Sequence, residues 1–264
     1  MNYFKNKVVW ITGASSGIGE ELAIQLSQLG AQVVLSARNK EALNLVLQKM
    51  DQPTQHLVLP LDLEKQDEFP SLFQSILETY GRFDMLFNNG GLSQRSEVHE
   101  TIMEVERRIM EINYFGNIAL TKTVLPFLRK QQSGHIIVTS SVAGKFGFFL
   151  RSAYSASKHA LHGYYESLLL EEAKNNIPVT LLCPGKINTS ISMSALHGNG
   201  EKHNEMDHNQ ATGMPVSECV RKIIQAVSKK KKEVLIGNRE IYAVYIKRFL
   251  PALFWKIIKN EKAT

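Results

Sequence analysis

Seven short segments, apolar almost throughout and each followed by a helix-length stretch, constrain this chain more than any other feature. They lie at Lys7–Gly13, Gln32–Ser36, His56–Leu61, Phe83–Phe87, Gly134–Thr139, Val179–Leu182 and Glu233–Gly237. A strand that reads apolar on both of its alternating faces is buried on both sides. That is the condition of a parallel sheet with helices above and below it. Helical spacing of Ile18, Leu22, Ala23, Leu26 and Leu29 marks the first crossover, and Leu43, Val46, Leu47 and Met50 mark the second. Further helices are expected at about 66–80, at 98–131 with the polar Asn113 interrupting, from Tyr154 to about 174, and at 216–230. The expected fold is therefore α/β: one domain, a doubly wound parallel sheet of about seven strands with helices on both faces. A length of 264 residues with 44% hydrophobic and 21% charged residues fits one such domain.

Between the first strand and its helix runs Thr12-Gly13-Ala14-Ser15-Ser16-Gly17-Ile18-Gly19. Glycines there allow a tight turn and close approach of backbone to a pyrophosphate seated on the helix N-terminus. Gly13-Ala14-Ser15-Ser16-Gly17 also satisfies G-x-S-x-G, the nucleophile elbow of hydrolases. An elbow belongs deep in its fold, with an acid and a histidine after it, whereas this turn follows the first strand, so the dinucleotide reading is preferred. The second strand ends Ser36-Ala37-Arg38. An acid selecting the ribose 2′-hydroxyl of NAD is absent there, and a guanidinium suits a 2′-phosphate, so NADP(H) is expected over NAD(H). Downstream, Tyr154 and Lys158 stand one helical turn apart on one face, with Ser140-Ser141 upstream.

Taken together, the motifs resemble the short-chain dehydrogenase/reductases over nearly the whole chain. They are TGASSGIG at 12–19, Asp62 after the third strand, Asn88-Asn89-Gly90-Gly91 after the fourth, Asn113, Ser141, the Tyr154/Lys158 pair, and Pro184-Gly185-Lys186-Ile187-Asn188-Thr189 after the sixth. The family's usual NNAG reads NNGG here. The run Asn88–Ser96 is most similar to the dehydrogenase/reductase member 7 branch, whose proteins act on lipophilic carbonyls near membranes. The resemblance implies a Rossmann-type catalytic domain over 1–238 and a catalytic set of Asn113, Ser141, Tyr154 and Lys158. It implies cofactor contacts from Gly13, Ser15, Ser16, Gly17, Ile18, Gly19, Arg38, Asp62, Asn89, Gly90, Tyr154, Lys158, Pro184, Gly185, Ile187 and Thr189. Asp62 would lie near the adenine, Asn89 by the adenosine ribose, and Ile187 and Thr189 at the carboxamide.

The chemistry fits those residue types. A tyrosine can protonate the alkoxide that hydride transfer creates. To act as a base near neutral pH its pKa must fall by about 3 from about 10, roughly 4 kcal/mol. The Lys158 ammonium is placed to supply part of that, Ser141 can polarise the substrate oxygen, and Asn113 could hold a water that relays protons to Lys158. Phe146, Phe148 and Phe149 lie between Ser141 and Tyr154 and are expected to line the substrate pocket, which suits a lipophilic ketone, aldehyde or alcohol. The polar stretch 190–214 reads as a substrate lid. Its His197, His203 and His208 match no metal spacing, and no metal is expected.

The net charge of +6 is unevenly placed. Residues 229–264 hold ten Lys/Arg against three Asp/Glu, a surplus of seven, so the first 228 residues are close to neutral. The segment 239–264 is basic and amphipathic. It is expected to pack on the domain or to lie at an anionic membrane surface through 239–258. The Lys229–Lys232 run lacks interleaved aromatics, so nucleic acid is not an expected partner. Two lone cysteines, Cys183 and Cys219, and the lack of a signal-like start point to a cytoplasmic protein. A homodimer or homotetramer is expected by family analogy, with the 98–131 and 153–174 helices as its face. The competing reading is a catalytically silent, dinucleotide-sensing protein on the same fold, which would have no need of Tyr154, Lys158, Ser141 and Asn113.

Overall fold

The computed structural model describes residues 2–261, so the last three residues of the 239–264 segment lie outside the described part. The strands are β1 (Val8–Thr12), β2 (Gln32–Ser36), β3 (Leu57–Val58), β4 (Met85–Asn88), β5 (His135–Thr139), β6 (Val179–Pro184) and β7 (Glu233–Ile236). They form one parallel sheet in the order β3-β2-β1-β4-β5-β6-β7. Between and after them come α1 (Gly17–Gln28), α2 (Lys40–Leu47), α3 (Phe69–Tyr80), α4 (Met103–Met110), α5 (Gly116–Gln131), α6 (Ser152–Glu172), α7 (His208–Ala211), α8 (Val216–Ser228), α9 (Tyr242–Phe249) and α10 (Pro251–Ile258).

β1 shows why the strands are apolar throughout. Val9 and Ile11 face a layer built from Leu22, Ala23 and Leu26 of α1 and Val220 and Ile223 of α8. Val8 and Trp10 face the opposite layer, built from Phe73 and Ile76 of α3, Leu120 and Val124 of α5, and Leu161 and Leu168 of α6. Each fully buried aliphatic side chain contributes about 1.5–3 kcal/mol, so one five-residue strand anchors both helical layers. Trp10 keeps its polar atom satisfied by donating Nε1 to Ser36 Oγ at 2.8 Å. From β1 the chain winds outward to β2 and β3, then crosses to β4 on the other side of β1. The loops leaving β1 and β4 therefore diverge, and a cleft opens over the C-terminal ends of these strands.

Three elements differ from the sequence expectation. β3 is limited to two residues because it is the edge strand and Pro60 removes a donor. The backbone still bonds to β2 beyond it, through Leu59 N to Leu35 O at 3.0 Å and Leu61 N to Ala37 O at 3.1 Å. Second, the interruption at Asn113 is a π-helical turn, Glu111–Phe115, joining α4 to α5. The Asn117 amide donates to the carbonyls of Ile112 (3.2 Å) and Asn113 (2.7 Å), which the widened turn leaves under-bonded. Third, β4 begins at Met85 and not at Phe83 because Asp84 spends its carboxylate on the β1 edge, accepting from Val8 N at 2.9 Å. The Lys229–Lys232 run is an exposed turn into β7.

Candidate active site

The β1–α1 turn presents backbone to the cleft. Gly13 and Gly17 stand in the left-handed region at φ +66° and +57°, and a Cβ on Gly17 would meet the Thr189 side chain at 3.2 Å. Ser16, the residue before α1, makes no side-chain cap, so the first N–H groups of α1 keep no side-chain acceptor there. That is the arrangement a phosphate would complete. Gly19 lies apart from the cleft lining. Its missing Cβ would sit 2.1 Å from Gly13 O, so glycine is required there for α1 to close on the turn. Asn89 ties three strand ends together. Its Nδ2 donates to Thr12 O at 3.2 Å and its Oδ1 accepts from Thr139 Oγ1 at 3.2 Å. At Gly90, where the family pattern has alanine, a methyl would press to 2.9 Å from Leu63 Cδ1.

Tyr154, Lys158 and Ser141 meet on the floor of the cleft. The Tyr154 and Ser141 side chains line the cleft together, and Ser141 Oγ donates to Pro184 O at 3.3 Å. Ser141 Oγ also accepts from Ala143 N at 3.1 Å. Ser140 turns away, donating to Lys158 O at 3.1 Å and pairing with His162 Nε2 at 3.0 Å, so of the two serines Ser141 is the one not tied to α6. Lys158 Nζ lies 5.7 Å from the Tyr154 ring centroid and donates to Thr139 O at 2.8 Å. Burial pushes this ammonium down to about 8. Burial also drives the Tyr154 phenol above its ordinary value, opposed by the nearby Ser141 hydroxyl and by the charges of Arg95 and Arg151. Asn113 is fully buried and acts as a clamp. Its Oδ1 accepts from Leu92 N at 2.7 Å, and its Nδ2 donates to Leu92 O at 2.9 Å and Ser157 Oγ at 3.0 Å. It holds the loop after β4 against α6, and sequence reading did not include that role.

Comparison with known proteins matches this architecture. A family model described as short chain dehydrogenase covers residues 7–200. The chain belongs to the short-chain dehydrogenase family. It is 39% identical to Dehydrogenase/reductase SDR family member 7B of Mus musculus over 98% of this chain and 82% of that one. It is 42% identical to Dehydrogenase/reductase SDR family protein 7-like of Anopheles gambiae over 98% of this chain and 84% of that one. Among solved structures, a short-chain dehydrogenase from Streptomyces avermitilis superposes with TM-score 0.82 at 26% identity, covering 97% and 96% of the two chains. A short chain dehydrogenase/reductase from Burkholderia phymatum in complex with NAD superposes with TM-score 0.84 at 22% identity, covering 100% and 98%. The chain is thus an oxidoreductase of a family whose fold binds NAD(P) and whose members act on small molecules and form oligomers.

Within this short-chain dehydrogenase, the cleft has a volume of about 920 Å³. It gathers Gly13, Ser15, Ser16, Gly17, Ile18, Arg38, Asp62, Asn89, Gly90, Pro184, Gly185, Ile187 and Thr189 with Ser141, Tyr154 and Lys158. Phe146 and Phe148 line it, whereas Phe149 lies outside the lining and is 44% exposed. The C-terminal segment also lines it, through Tyr242, Ala243 and Ile246 of α9 and Ile257 and Ile258 of α10. Phe254 of α10 is buried edge-on against Phe146, with ring centroids 5.2 Å apart. Glu240 Oε1 accepts from Lys186 N (2.9 Å) and Asn238 N (3.1 Å), and Lys247 Nζ donates to Lys145 O at 2.9 Å.

Sequence reading missed Gln94, Arg95, Arg151 and Asp207. Gln94 Oε1 accepts from Ala153 N at 2.8 Å and Tyr154 N at 3.4 Å, capping the helix that carries the tyrosine. The only sequence signal for these residues was a charge or amide inside runs quoted for other reasons. One further cluster, His162, Cys183 and Glu233, has metal-ligand composition. The Lys145 ammonium already fills it, 3.1 Å from His162 Nδ1 and paired with Glu233.

Proposed function

We propose that this chain interconverts a lipophilic ketone or aldehyde and its alcohol using NADP(H), with Tyr154 passing the proton. The observation that carries this reading is that Tyr154, Ser141 and Lys158 line one cleft, the Lys158 ammonium 5.7 Å from the Tyr154 ring centre, where the β1–α1 turn opens into it. The cofactor, when bound, supplies or takes up the hydride. Gly13, Ser15, Ser16, Gly17 and Ile18 would hold its pyrophosphate, with Ile187 and Thr189 lining the same cleft, Thr189 directly against Gly17. Arg38 stands exposed at the end of β2, beside Ala37, where a 2′-phosphate would meet a guanidinium and no carboxylate.

Ser141 orients the substrate oxygen toward the Tyr154 hydroxyl, and Tyr154 gives that oxygen its proton in the reducing direction. Lys158 holds the floor through Thr139 O and offers its ammonium beneath the phenol. Apolar walls from Phe146, Phe148, Ile246, Ile257 and Ile258 favour an apolar substrate body. The segment 190–214 serves as the lid, and 239–261 completes the wall opposite it. Phe115 and Leu170 are exposed near α5 and on α6, and we assign that face to a homodimer or homotetramer contact. A cytoplasmic location suits the two buried free thiols, Cys183 and Cys219. Exposed apolar and cationic side chains of α9 and α10 face an anionic membrane surface in this reading.

The test follows NADPH oxidation across a panel of lipophilic ketones and aldehydes with wild type and Tyr154→Phe. Turnover in the wild type and its loss in the variant, with NADPH still raising the melting temperature of both, is the expected result. Turnover that survives the substitution refutes the mechanism. Thermal stabilisation by NADPH with no turnover in the wild type returns the chain to the binding-protein reading.

A further inference from the structure

Strands β6 and β7 end side by side at the cleft, and the two chains then part. Gly185 N donates to Ile236 O at 2.7 Å, one residue past the end of β6. Beyond that bond one chain runs on through Lys186 to Thr189, and the other through Asn238 into the 3-10 turn Arg239–Ile241. The Glu240 side chain reaches back into this fork. Its Oε1 accepts from Lys186 N at 2.9 Å and from Asn238 N at 3.1 Å, so one carboxylate oxygen takes a backbone N–H from each chain. The two glycines beside it fit the same account. Neither Gly185 nor Gly237 has a positive φ, so the backbone conformation does not call for glycine at either place. What they leave is room: a Cβ on either would collide with Glu240 Oε1. Glu240 is half-buried and lines the cleft together with Gly185 and Asn238.

The rest of the loop after β6 is held by other elements. Met214 N donates to Lys186 O at 2.8 Å and Asn188 N to Met214 O at 2.9 Å, so Ile187 pairs with Met214 as a short parallel bridge. The 190–214 stretch that brings Met214 is anchored in turn at Asp207, which accepts from Arg95 Nε at 2.7 Å and Arg151 Nη2 at 3.2 Å. Pro184 O accepts from Ser141 Oγ at 3.3 Å, and Thr189 lies against Gly17 of the β1–α1 turn. Glu240 is the hold that the C-terminal segment adds to this loop.

We propose that Glu240 is a positioning residue for the cofactor, fixing the backbone of 185–189 where the nicotinamide end is received. The proposal rests on the reading that Ile187 and Thr189 face that end. Its physical basis is preorganisation. A loop already held by charge-assisted hydrogen bonds does not have to be ordered by its ligand, and the ordering entropy no longer opposes binding. The effect belongs to one half of the cofactor. Arg38 and Asp62, expected at the adenosine half, follow β2 and β3, at the opposite end of the sheet from β6 and β7.

Equilibrium titration with two ligands tests this. NADPH carries both halves, whereas adenosine 2′,5′-bisphosphate carries the 2′-phosphate half and no nicotinamide. Wild type should bind NADPH the more tightly. Glu240→Ala should weaken NADPH by about tenfold and leave adenosine 2′,5′-bisphosphate at the wild-type affinity. Glu240→Gln keeps an acceptor for the two N–H groups and should restore most of the NADPH affinity. Should Glu240→Ala fail to fold, Gly237→Ala, whose methyl pushes the carboxylate aside, should show the same selective loss. NADPH affinity unchanged in the variants, or both ligands weakened alike, overturns the proposal. A wild type that binds the two ligands equally refutes the placement of the nicotinamide at Ile187 and Thr189, and the proposal with it. A wild type that binds neither removes the NADP(H) reading itself.

Discussion

Gln94 shows how much one side chain can hold. Fully buried, it accepts from the first N–H groups of α6 and donates to Ser96 Oγ (3.1 Å), Thr101 Oγ1 (3.0 Å) and Ser152 Oγ (3.2 Å). A helix start needs acceptors for its unpaired N–H groups, and here a residue from another element supplies one. Gln94→Ala leaves several buried polar groups unpaired and should cost about 1–3 kcal/mol. It should also lower kcat, because the Tyr154 turn loses its support, while the KM for NADPH stays near the wild-type value. Thermal melts with steady-state kinetics check this. An unchanged melting temperature with unchanged kcat would mean that the cap is incidental.

At the scale of elements, α9 and α10 carry two faces with different work. The inner face is fixed by Phe254 against Phe146 and by Glu240 on the loop after β6. The outer face exposes Tyr245, Phe249, Leu250, Leu253 and Trp255 beside Arg248, Lys256 and Lys259. Deleting the segment would strip the cleft of a wall, so substitutions on the outer face are the cleaner test. Wild-type protein should sediment with phosphatidylserine-containing vesicles, and less so as salt rises. The double variant Phe249→Asp/Trp255→Asp, both positions being 58% exposed or more, should bind several-fold more weakly with its melting temperature retained. Equal sedimentation of variant and wild type would remove the membrane reading. No helix among the described residues is long and apolar enough to cross a membrane, so contact of this kind would be peripheral for the part described.

For the whole molecule, the buried His135 contributes to the loss of stability on acidification. His135 is fully buried in β5 between Tyr3 Oη (3.1 Å) and Thr180 Oγ1 (2.8 Å). Burial, with Lys230 nearby, pushes it down to about 3. In the unfolded chain it titrates near its ordinary value of about 6.5. Between those values the unfolded state binds more protons than the folded one, so stability rises with pH across the window and is lost on acidification through it. The slope from this residue is at most about 1.4 kcal/mol per pH unit. His135→Gln should flatten the decline in urea-unfolding free energy between pH 6 and pH 4. An identical slope in the variant would place the acid sensitivity elsewhere.

The alternation of two-sided apolar segments with helical spacing determined the sheet, its parallel sense and the glycine turn, because those follow from local periodicity and backbone sterics. It also marked Tyr154, Lys158 and Ser141, which are close in sequence or placed at strand ends, and the structure brings them together in one cleft. Periodicity placed the break at Asn113 without showing that it is a π turn, because the partner that stabilises it, Asn117, acts through side-chain bonds to carbonyls. Proximity along the chain groups Phe149 with Phe146 and Phe148, but it lies outside the cleft lining and is 44% exposed. The Arg95–Asp207–Arg151 cluster, the Gln94 cap and the C-terminal wall of the cleft join residues with no common period or motif. Only tertiary structure decides such contacts, because charge pairing and burial depend on where distant loops meet and not on the spacing along the chain.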